Sequence, residues 1–340
     1  MRQTFLTKFA YKFYAAGVKI RLALYRAKFF KIHQLNAPVI SVGNITFGGT
    51  GKTPCAAFIA NFLHDEGLQV AILSRGYKRA SKGRVEVSNG KEILCSPNIS
   101  GDEPYLLAQQ CPGVRVVVDT DRYAAGKWLE SQTKIDAFIL DDGYQHIRLQ
   151  RDLNLLLVDA ATDFDARLNF RDPLEEMTRA DAVIITRAAQ LSDQEPLAQN
   201  IQKYCPPDIP VFFADHQITG FRLMTEAATK NLTLNSSSIV ALSGIGNPAR
   251  FALDLKNSGL KIIKHFIFAD HHRYTQDELE NIFQQAKDLG AEAIITTEKD
   301  AVNIADKLIR DCKLPVYVAQ LKFSCDEEQQ LKQLLREIVG

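Results

Sequence analysis

The chain contains 340 residues, of which 46% are hydrophobic and 24% are charged. This is the composition of an ordinary soluble protein, and the length predicts two domains. No run of 18 apolar residues is present and the apolar stretches near the start are broken by lysines, so we expect neither a transmembrane helix nor a secretory signal. The six cysteines stand singly without a CxxC or Cys/His cluster, which argues against a structural zinc or a disulfide framework.

The formal net charge of +1 hides an uneven distribution of charge along the chain. Residues 1–64 contain nine Lys or Arg and no Asp or Glu, so the remainder of the chain is net negative. A basic head on an acidic body predicts that the N-terminal segment contacts an anionic surface.

Residues 3–31 are predicted to form one long amphipathic helix, because their apolar residues recur at spacings of three and four. Basic side chains flank the apolar stripe, where their stems can reach phosphate head groups while the stripe enters a lipid layer. The alternative is a helix that packs on its own domain with solvated lysines. The stripe contains Phe5, Phe9, Phe13, Ala16, Ile20 and Leu24, and the flanks contain Lys8, Lys12, Lys19, Arg21, Arg26 and Lys28.

From residue 38 onwards, short and continuously apolar strands alternate with helices. This pattern predicts a mostly parallel sheet that is covered on both faces. Residues 215–237 are polar and interrupt the alternation, so we interpret them as a linker that forms a small β ribbon. A second α/β series follows, with helices predicted near 248–258, 275–289 and 302–311 and a last helix from about residue 325.

A glycine-rich loop between the first strand and the next helix predicts a nucleotide phosphate site. Glycines let backbone N–H groups turn inward, the helix N-terminus attracts anions, and Lys52 can reach the β- and γ-phosphates. The match to GxxxxGK[ST] is imperfect, because Thr46 stands where the first glycine belongs. An ordinary glycine turn is the alternative, but it explains neither the lysine nor the position. The loop consists of Thr46, Phe47, Gly48, Gly49, Thr50, Gly51, Lys52 and Thr53.

The segment "AFILDDG" ends an apolar strand in Asp141 and Asp142. Paired carboxylates at a strand tip are the usual holders of the metal in a phosphate site, since a cation relieves their repulsion. The alternative is a turn or a helix cap, which needs only one aspartate. The Thr53 hydroxyl is a further candidate for the Mg²⁺ shell.

Other charged clusters follow predicted strands or precede predicted helices. Asp102 and Glu103 begin a helix, where capping is an equally good explanation. Thr275 and Glu278 form a capping box, which does not explain the histidines of "ADHHRYT". The remaining candidates are Arg122 after a strand, Arg171 and Asp172 in "NFRDPLEE", and His271 and His272.

Seven segments in a fixed order give the chain a resemblance to a known family. They are "VGNITFGGTGKTP", "SRGY", "GDEPYLLA", "DDGYQHIRLQRDLNLLLVD", "FRDPL", "ADHHRYT" and "TTEKDAV". Together they resemble the tetraacyldisaccharide 4'-kinase family of lipid A biosynthesis. The resemblance covers most of the chain and is weakest at residues 215–237.

The resemblance implies a P-loop NTPase-type α/β/α sandwich with a second, smaller α/β domain and an N-terminal amphipathic helix. The expected divisions are the membrane-associated helix at 1–33, the ATP-binding kinase domain at 34–214, the linker at 215–237 and the second domain at 238–340. It also implies a peripheral protein at the cytoplasmic face of the inner membrane, with a lipid-linked disaccharide as substrate. Neither a nucleic acid nor an obligate protein partner is implied.

The resemblance further implies roles for residues at matching positions. ATP would lie on the loop from Thr46 to Thr53, Asp102 would be the catalytic base and His271 its partner. Asp172 departs from the family pattern, which has Glu there, so its contact with a metal or water is expected to change. The implied catalytic residues are Asp102, His271, Lys52, Arg122, Arg171 and Glu103, and the implied Mg²⁺ ligands are Thr53, Asp141, Asp142 and Asp172.

The predicted activity is transfer of the ATP γ-phosphate to the 4'-hydroxyl of a tetraacyl glucosamine disaccharide 1-phosphate. A membrane-associated switch ATPase of the partitioning type is the main alternative, and a nucleotide-gated binding protein is another. The partitioning ATPases carry a signature lysine early in the loop, where this chain has Phe47. Neither alternative explains Asp102 or "DHHRY".

Overall fold

The computed structural model describes residues 5–190, 194–225, 237–304, 309 and 312–340. Within these residues, twelve strands form one sheet and α-helices cover it. The strands are β1 Val39–Gly43, β2 Val70–Ser74, β3 Val85–Asn89, β4 Arg115–Val118, β5 Ala137–Asp141, β6 Leu153–Asp159, β7 Ala182–Thr186, β8 Val211–Leu223, β9 Ser238–Ser243, β10 Lys261–Ile267, β11 Ala293–Thr297 and β12 Val316–Cys325. The helices are α1 Phe5–Arg26, α2 Lys52–Asp65, α3 Pro97–Ser100, α4 Asp102–Gln110, α5 Arg122–Gln132, α6 Glu195–Gln202, α7 Pro248–Asn257, α8 Gln276–Asp288, α9 Glu298–Ala301 and α10 Glu328–Val339.

The strand order is β10-β9-β11-β12-β8-β7-β6-β1-β5-β2-β4-β3. Neighbouring strands are parallel except in the pairs β12–β8 and β3–β4. Most of the parallel strands are buried along their whole length, as their continuous apolar sequences predict. The predicted α/β fold is therefore confirmed.

Strand β8 runs through the start of the predicted linker and ends only at Leu223. It pairs antiparallel with β12 over nine residue pairs, from Ala214–Cys325 to Leu223–Tyr317. The polar residues at 215–223 are therefore part of the sheet, because their alternation suits a strand with one solvated face. This pair joins the two parallel halves of the sheet, and residues 226–236 of the predicted linker lie outside the described residues.

The C-terminal helix α10 packs on the first half of the protein. Leu331 and Leu335 are fully buried in the same core as Ile59 and Leu63 of α2. The predicted division at residue 238 assigns this helix to the second half, so its packing differs from that prediction. The strand pair β12–β8 brings the chain back beside α2, which gives the apolar face of α10 a partner.

Helix α1 ends at Arg26, earlier than the predicted residue 31. Lys28 has a φ of 59°, which terminates the helix. Val18 and Leu22 pack against Ile147, so one face of the helix lies on the protein. Among the described residues, no helix has the length and apolar character that a membrane crossing needs.

The predicted apolar stripe of α1 lies opposite the face that packs on the protein. Phe13 is 65% exposed and Ile20 is 62% exposed, and Ala16 between them is also exposed. The side chains of Phe5, Phe9, Lys8 and Lys12 lie outside the description. The helix thus packs by one apolar face and presents another to its surroundings.

Candidate active site

A cavity of about 1020 Å³ lies at the carboxyl ends of the parallel strands, between the two halves of the sheet. In open parallel sheets this edge is where ligands bind. The glycine loop, the ends of β2 and β5, the first turns of α4 and α7, and the loop before α8 contribute to its walls. Helix α1 forms part of the same walls.

The glycine loop lies between β1 and α2, as the sequence predicts. The whole segment from Phe47 to Thr53 lines the cavity, whereas Thr46 is buried beneath it and accepts a hydrogen bond from Asn44. Gly51 has a φ of 79° and directly precedes α2, so the first N–H groups of that helix are available to an anion. The hydroxyl of Thr50 is buried without a hydrogen-bond partner in the described structure.

Lys52 points from the first turn of α2 towards the acids at the end of β5. Its Nζ lies 3.5 Å from Oδ1 of Asp142 and 3.4 Å from Oδ1 of Asn44. The guanidinium of Arg171 also binds Asp142, at 3.1 and 3.0 Å. Two predicted catalytic cations therefore converge on one predicted metal ligand.

The environments of the two adjacent aspartates drive their pKa values in opposite directions. Burial, together with the charges of Glu103 and Asp142, raises the pKa of Asp141 to about 7. Burial also acts to raise the pKa of Asp142, but Lys52 and Arg171 outweigh it and hold that pKa below its ordinary value. Asp141 is thus costly to ionise without a further cation, whereas Asp142 is ionised.

These acids fit a Mg²⁺ ion that arrives with a nucleotide. In the described part of the chain, no group of three or more His, Cys, Asp or Glu side chains forms a protein-only metal site. Magnesium usually takes one or two carboxylates and completes its shell with phosphates and water. Asp141, Asp142 and the cavity-lining Thr53 supply oxygen ligands of this kind.

Asp172 lies elsewhere, although the sequence places it among the metal ligands. Its carboxylate is 1% exposed, binds Arg179 at 3.0 Å and accepts a hydrogen bond from Gln145 at 3.2 Å. It is not on the cavity surface. The positive charge of the half-buried Arg179 already neutralises Asp172, which holds Arg179 and Gln145 in place. Asp172 is therefore removed from the proposed metal ligands.

The structure brings Asp102 and His271 together from opposite halves of the chain. Nδ1 of His271 lies 2.9 Å from Oδ2 of Asp102, and Asn303 donates to the same oxygen at 2.9 Å. Burial acts to raise the pKa of Asp102, but the hydrogen bonds from His271 and Asn303 outweigh it and lower that pKa. The carboxylate is therefore ionised near neutral pH.

The choice between the two histidines, which the sequence leaves open, is decided by their contacts. His271 has a φ of 66° and lines the cavity. His272 turns away, binds Glu278 at 3.0 Å and stacks on Phe268 with ring centroids 4.5 Å apart. The predicted capping box of Thr275 and Glu278 is present, so His272 belongs to the start of α8.

The remaining predicted catalytic residues also line the cavity. Arg122 begins α5 and is 8% exposed, and burial lowers its pKa to about 10, so it stays charged at neutral pH. Glu103 follows Asp102 in the first turn of α4. Arg171 lies over the ring of Phe47, with the guanidinium carbon 5.8 Å from the ring centroid.

Comparison with known proteins decides the family. The family model described as tetraacyldisaccharide-1-P 4'-kinase matches residues 3–340 of the chain. The chain belongs to this kinase family.

Individual relatives of the kinase agree with the family model. The chain is 40% identical over 314 residues to a tetraacyldisaccharide 4'-kinase of Desulfotalea psychrophila, covering 90% of this chain and 89% of the relative. It is 34% identical over 345 residues to that of Aquifex aeolicus, covering 99% of each. The crystal structure of LpxK from Aquifex aeolicus in complex with ATP matches with a TM-score of 0.77 and 32% identity over 98% of each chain. The predicted family, fold and enzyme class are confirmed.

Sequence reasoning missed two side chains that contact the Asp102–His271 pair. Lys299 and Asn303, which follow β11, contact His271 and Asp102 respectively. Lys299 belongs to the segment "TTEKDAV", which marks the family but carries no sequence motif of known chemistry, and Asn303 directly follows that segment. Their position after the apolar strand β11 could have revealed them, because the other candidate residues also lie at the carboxyl ends of the parallel strands.

Proposed function

We propose that this kinase transfers the γ-phosphoryl group of ATP to the 4'-hydroxyl of a tetraacyl glucosamine disaccharide 1-phosphate at the cytoplasmic face of the inner membrane. One observation carries the proposal: the glycine loop, α1 and His271 line a single cavity, and His271 is hydrogen-bonded to Asp102. A base, a phosphate cradle and a membrane-facing helix are the parts that this reaction requires.

The glycine loop would hold the triphosphate of ATP. Backbone N–H groups at the start of α2 and the ammonium of Lys52 bind the phosphate oxygens. Asp141, Asp142 and Thr53 would hold Mg²⁺, which would supply positive charge against the triphosphate. Arg122 provides a further fixed positive charge towards the transferred group.

Asp102 would accept the proton of the acceptor hydroxyl. Its Oδ2 receives the hydrogen bonds of His271 and Asn303, which leaves Oδ1 for the substrate. The side chain of Asp102 is 11% exposed, and its neighbours Glu103 and His271 line the cavity. The low pKa of Asp102 keeps the carboxylate ready as a general base, and His271 orients it.

The acceptor lipid would reach the cavity along α1. Gly17, Val18 and Arg21 of this helix line the cavity beside the glycine loop. The stripe that contains Phe13 and Ile20 is exposed and can enter a lipid layer, while Arg21 faces the anionic substrate. The exposed stripe favours an interfacial membrane helix over the alternative of a helix that only packs on its own domain.

Transfer of labelled phosphate from ATP to the purified disaccharide 1-phosphate tests this function. We expect label in the lipid, and Asp102→Asn should lower kcat by about 10²–10⁴-fold, the usual contribution of a general base, with ATP binding retained. Asp277→Asn, which changes an exposed acid of α8, is the matched control. Release of inorganic phosphate without labelled lipid would instead indicate a switch ATPase.

A further inference from the structure

Lys299 lies in the first turn of α9 and reaches the Asp102–His271 pair from the second half of the chain. Its Nζ is 3.2 Å from Oε1 of Glu103, 3.1 Å from Oδ1 of Asp270 and 3.3 Å from Nε2 of His271. Only 20% of the side chain is exposed. An ammonium group carries three hydrogens, so it can donate to all three acceptors at once.

The contact with Lys299 decides which nitrogen of the imidazole carries the proton. An ammonium donates and cannot accept, so Nε2 of His271 must be the acceptor. The proton of the neutral ring then lies on Nδ1, which faces Oδ2 of Asp102 at 2.9 Å. We propose that Lys299 is a positioning residue for phosphoryl transfer, which holds His271 as the neutral tautomer that donates to Asp102. This inference rests on the function proposed above.

The charges around the imidazole make such a cation necessary. Asp102 binds the ring from α4, Glu103 of the same helix meets the ammonium, and Asp270 directly precedes the histidine. The ring centroid of Tyr77 lies 5.7 Å from that of the imidazole, and this ring contributes no charge. Without the ammonium, the carboxylates would favour a protonated His271. An imidazolium would partly neutralise Asp102 and make it a weaker proton acceptor.

Lys299 stays charged at the pH of the reaction. Burial acts to lower the pKa of Lys299, but the carboxylates of Glu103 and Asp270 outweigh burial and raise it above its ordinary value. The same ammonium joins α9 to α4, so it holds the imidazole on the side of the cavity where Asp102 lies. One lysine therefore sets the protonation state and the position of the histidine.

The first test measures the tautomer in the full-length wild-type protein without ATP or lipid. The protein is labelled with ¹⁵N-histidine, and the His271 signals are assigned from the spectrum of His271→Gln. We expect a protonated Nδ1 and a bare Nε2 at about pH 7.5. A proton on Nε2, or a doubly protonated ring, overturns the proposal.

The second test removes the ammonium. In Lys299→Met the ¹⁵N spectrum at about pH 7.5 should show a larger share of doubly protonated His271, because two carboxylates then face the ring without a cation. The acid limb of the kcat/KM profile for the lipid should move to higher pH, with the KM for ATP within about twofold of wild type. Lys299→Arg keeps a cationic donor and should restore the wild-type spectrum.

The control is Asn303→Ala, which removes the other hydrogen bond to Oδ2 of Asp102 and leaves His271 bound to Lys299. It should keep the Nδ1–H tautomer. An unchanged His271 spectrum in Lys299→Met contradicts the proposal. If that variant does not fold, the wild-type tautomer and the Lys299→Arg spectrum still decide. Both NMR tests work without substrate, so a wild-type protein that fails to phosphorylate lipid would contradict the function alone.

Discussion

Asp141 shows how a residue in the proposed site lowers the stability of the protein without its ligands. Its carboxyl is 3% exposed and accepts one hydrogen bond from Ser74. Burial first, and then Glu103 and Asp142, raise its pKa from 3.8 to about 7. The folded protein therefore binds this proton more tightly than the unfolded chain does.

The sign of the pH dependence follows from that difference. Below about pH 4 the carboxyl is protonated in both the folded protein and the unfolded chain, so it does not lower the free energy of unfolding. As the pH rises to about 7, the unfolded chain releases the proton first, so the free energy of unfolding falls, and above that pH the loss is complete. The contribution of Asp141 to the free energy of unfolding is therefore most favourable in acid and is lost as the pH rises to about 7.

We expect Asp141→Asn to raise the free energy of unfolding at about pH 8 by on the order of 1–3 kcal/mol and to leave it nearly unchanged at about pH 4. Urea unfolding without ATP or Mg²⁺, followed by the fluorescence of Trp128, measures both values. Kinase activity should be lost at the same time. An equal effect at both pH values would show that the buried charge is not the cause.

Gly51 combines a left-handed backbone with a close neighbour. Its φ is 79°, and a Cβ at this position would overlap the imidazole of His216 from β8. Gly51→Ala should weaken ATP binding at least about tenfold, because strain and overlap displace the loop. Gly67→Ala is the matched control, since Gly67 has a φ of 89° and open space at its Cβ.

Isothermal titration with ATP measures both glycine variants. Gly67→Ala should cost about 1–2 kcal/mol of stability and leave ATP affinity unchanged. If the two variants bind ATP equally well, contact with His216 does not shape the loop.

At the scale of elements, α1 is a helix with two apolar faces. Val18 and Leu22 fix it to Ile147, and the opposite side carries the exposed Ile20 and Phe13. A helix that only packed on its domain would present polar residues on that outer side. The arrangement supports a role at a lipid surface and also explains why α1 stays beside the cavity.

Ile20→Asp should weaken binding to anionic vesicles at least about tenfold, since it places a charge where the aliphatic side chain would enter the lipid layer. The protein should keep its melting temperature, because Ile20 is 62% exposed in the fold. Leu253→Asp, at an exposed position of α7, is the control and should still sediment with vesicles. Sedimentation of Ile20→Asp at the wild-type level would refute the membrane assignment of this face.

At the scale of the whole molecule, the sheet is continuous across both halves. The antiparallel pair β12–β8 connects them, and α10 returns to pack on α2. Arg336 of α10 also binds Glu66 at 3.0 Å, although both are exposed and the pair adds little. The end of the chain therefore supports the half that holds the glycine loop.

We expect Leu331→Ala to lower the free energy of unfolding by about 2–4 kcal/mol, because Leu331 is fully buried between α10 and α2. Leu334→Ala, at a partly buried position of the same helix, should cost less. Trp128 fluorescence follows the unfolding of the first half of the chain, and far-UV circular dichroism follows the unfolding of the whole chain. We expect the two unfolding transitions to coincide. A Trp128 transition that Leu331→Ala leaves unchanged would contradict the packing of α10 on α2.

The sequence alone determined the local structure and the family. The apolar strands, the glycine loop before α2, the acids after β5 and the capping box of α8 are encoded by neighbouring residues, so spacing and residue type reveal them. The stripe of α1 was also readable, although its end at Arg26 was not, since a positive φ at Lys28 leaves no clear periodic signal.

Only the tertiary structure decided which side chains meet. The order of strands in the sheet brings Asp102 to His271 and leads Lys299 to the same imidazole. Local packing pairs His272 with Glu278 and Asp172 with Arg179, which are close in sequence. The strand order also carries α10 back to the first half of the chain. These contacts join residues that are mostly distant in sequence, and they depend on how every intervening element packs, which local spacing does not contain.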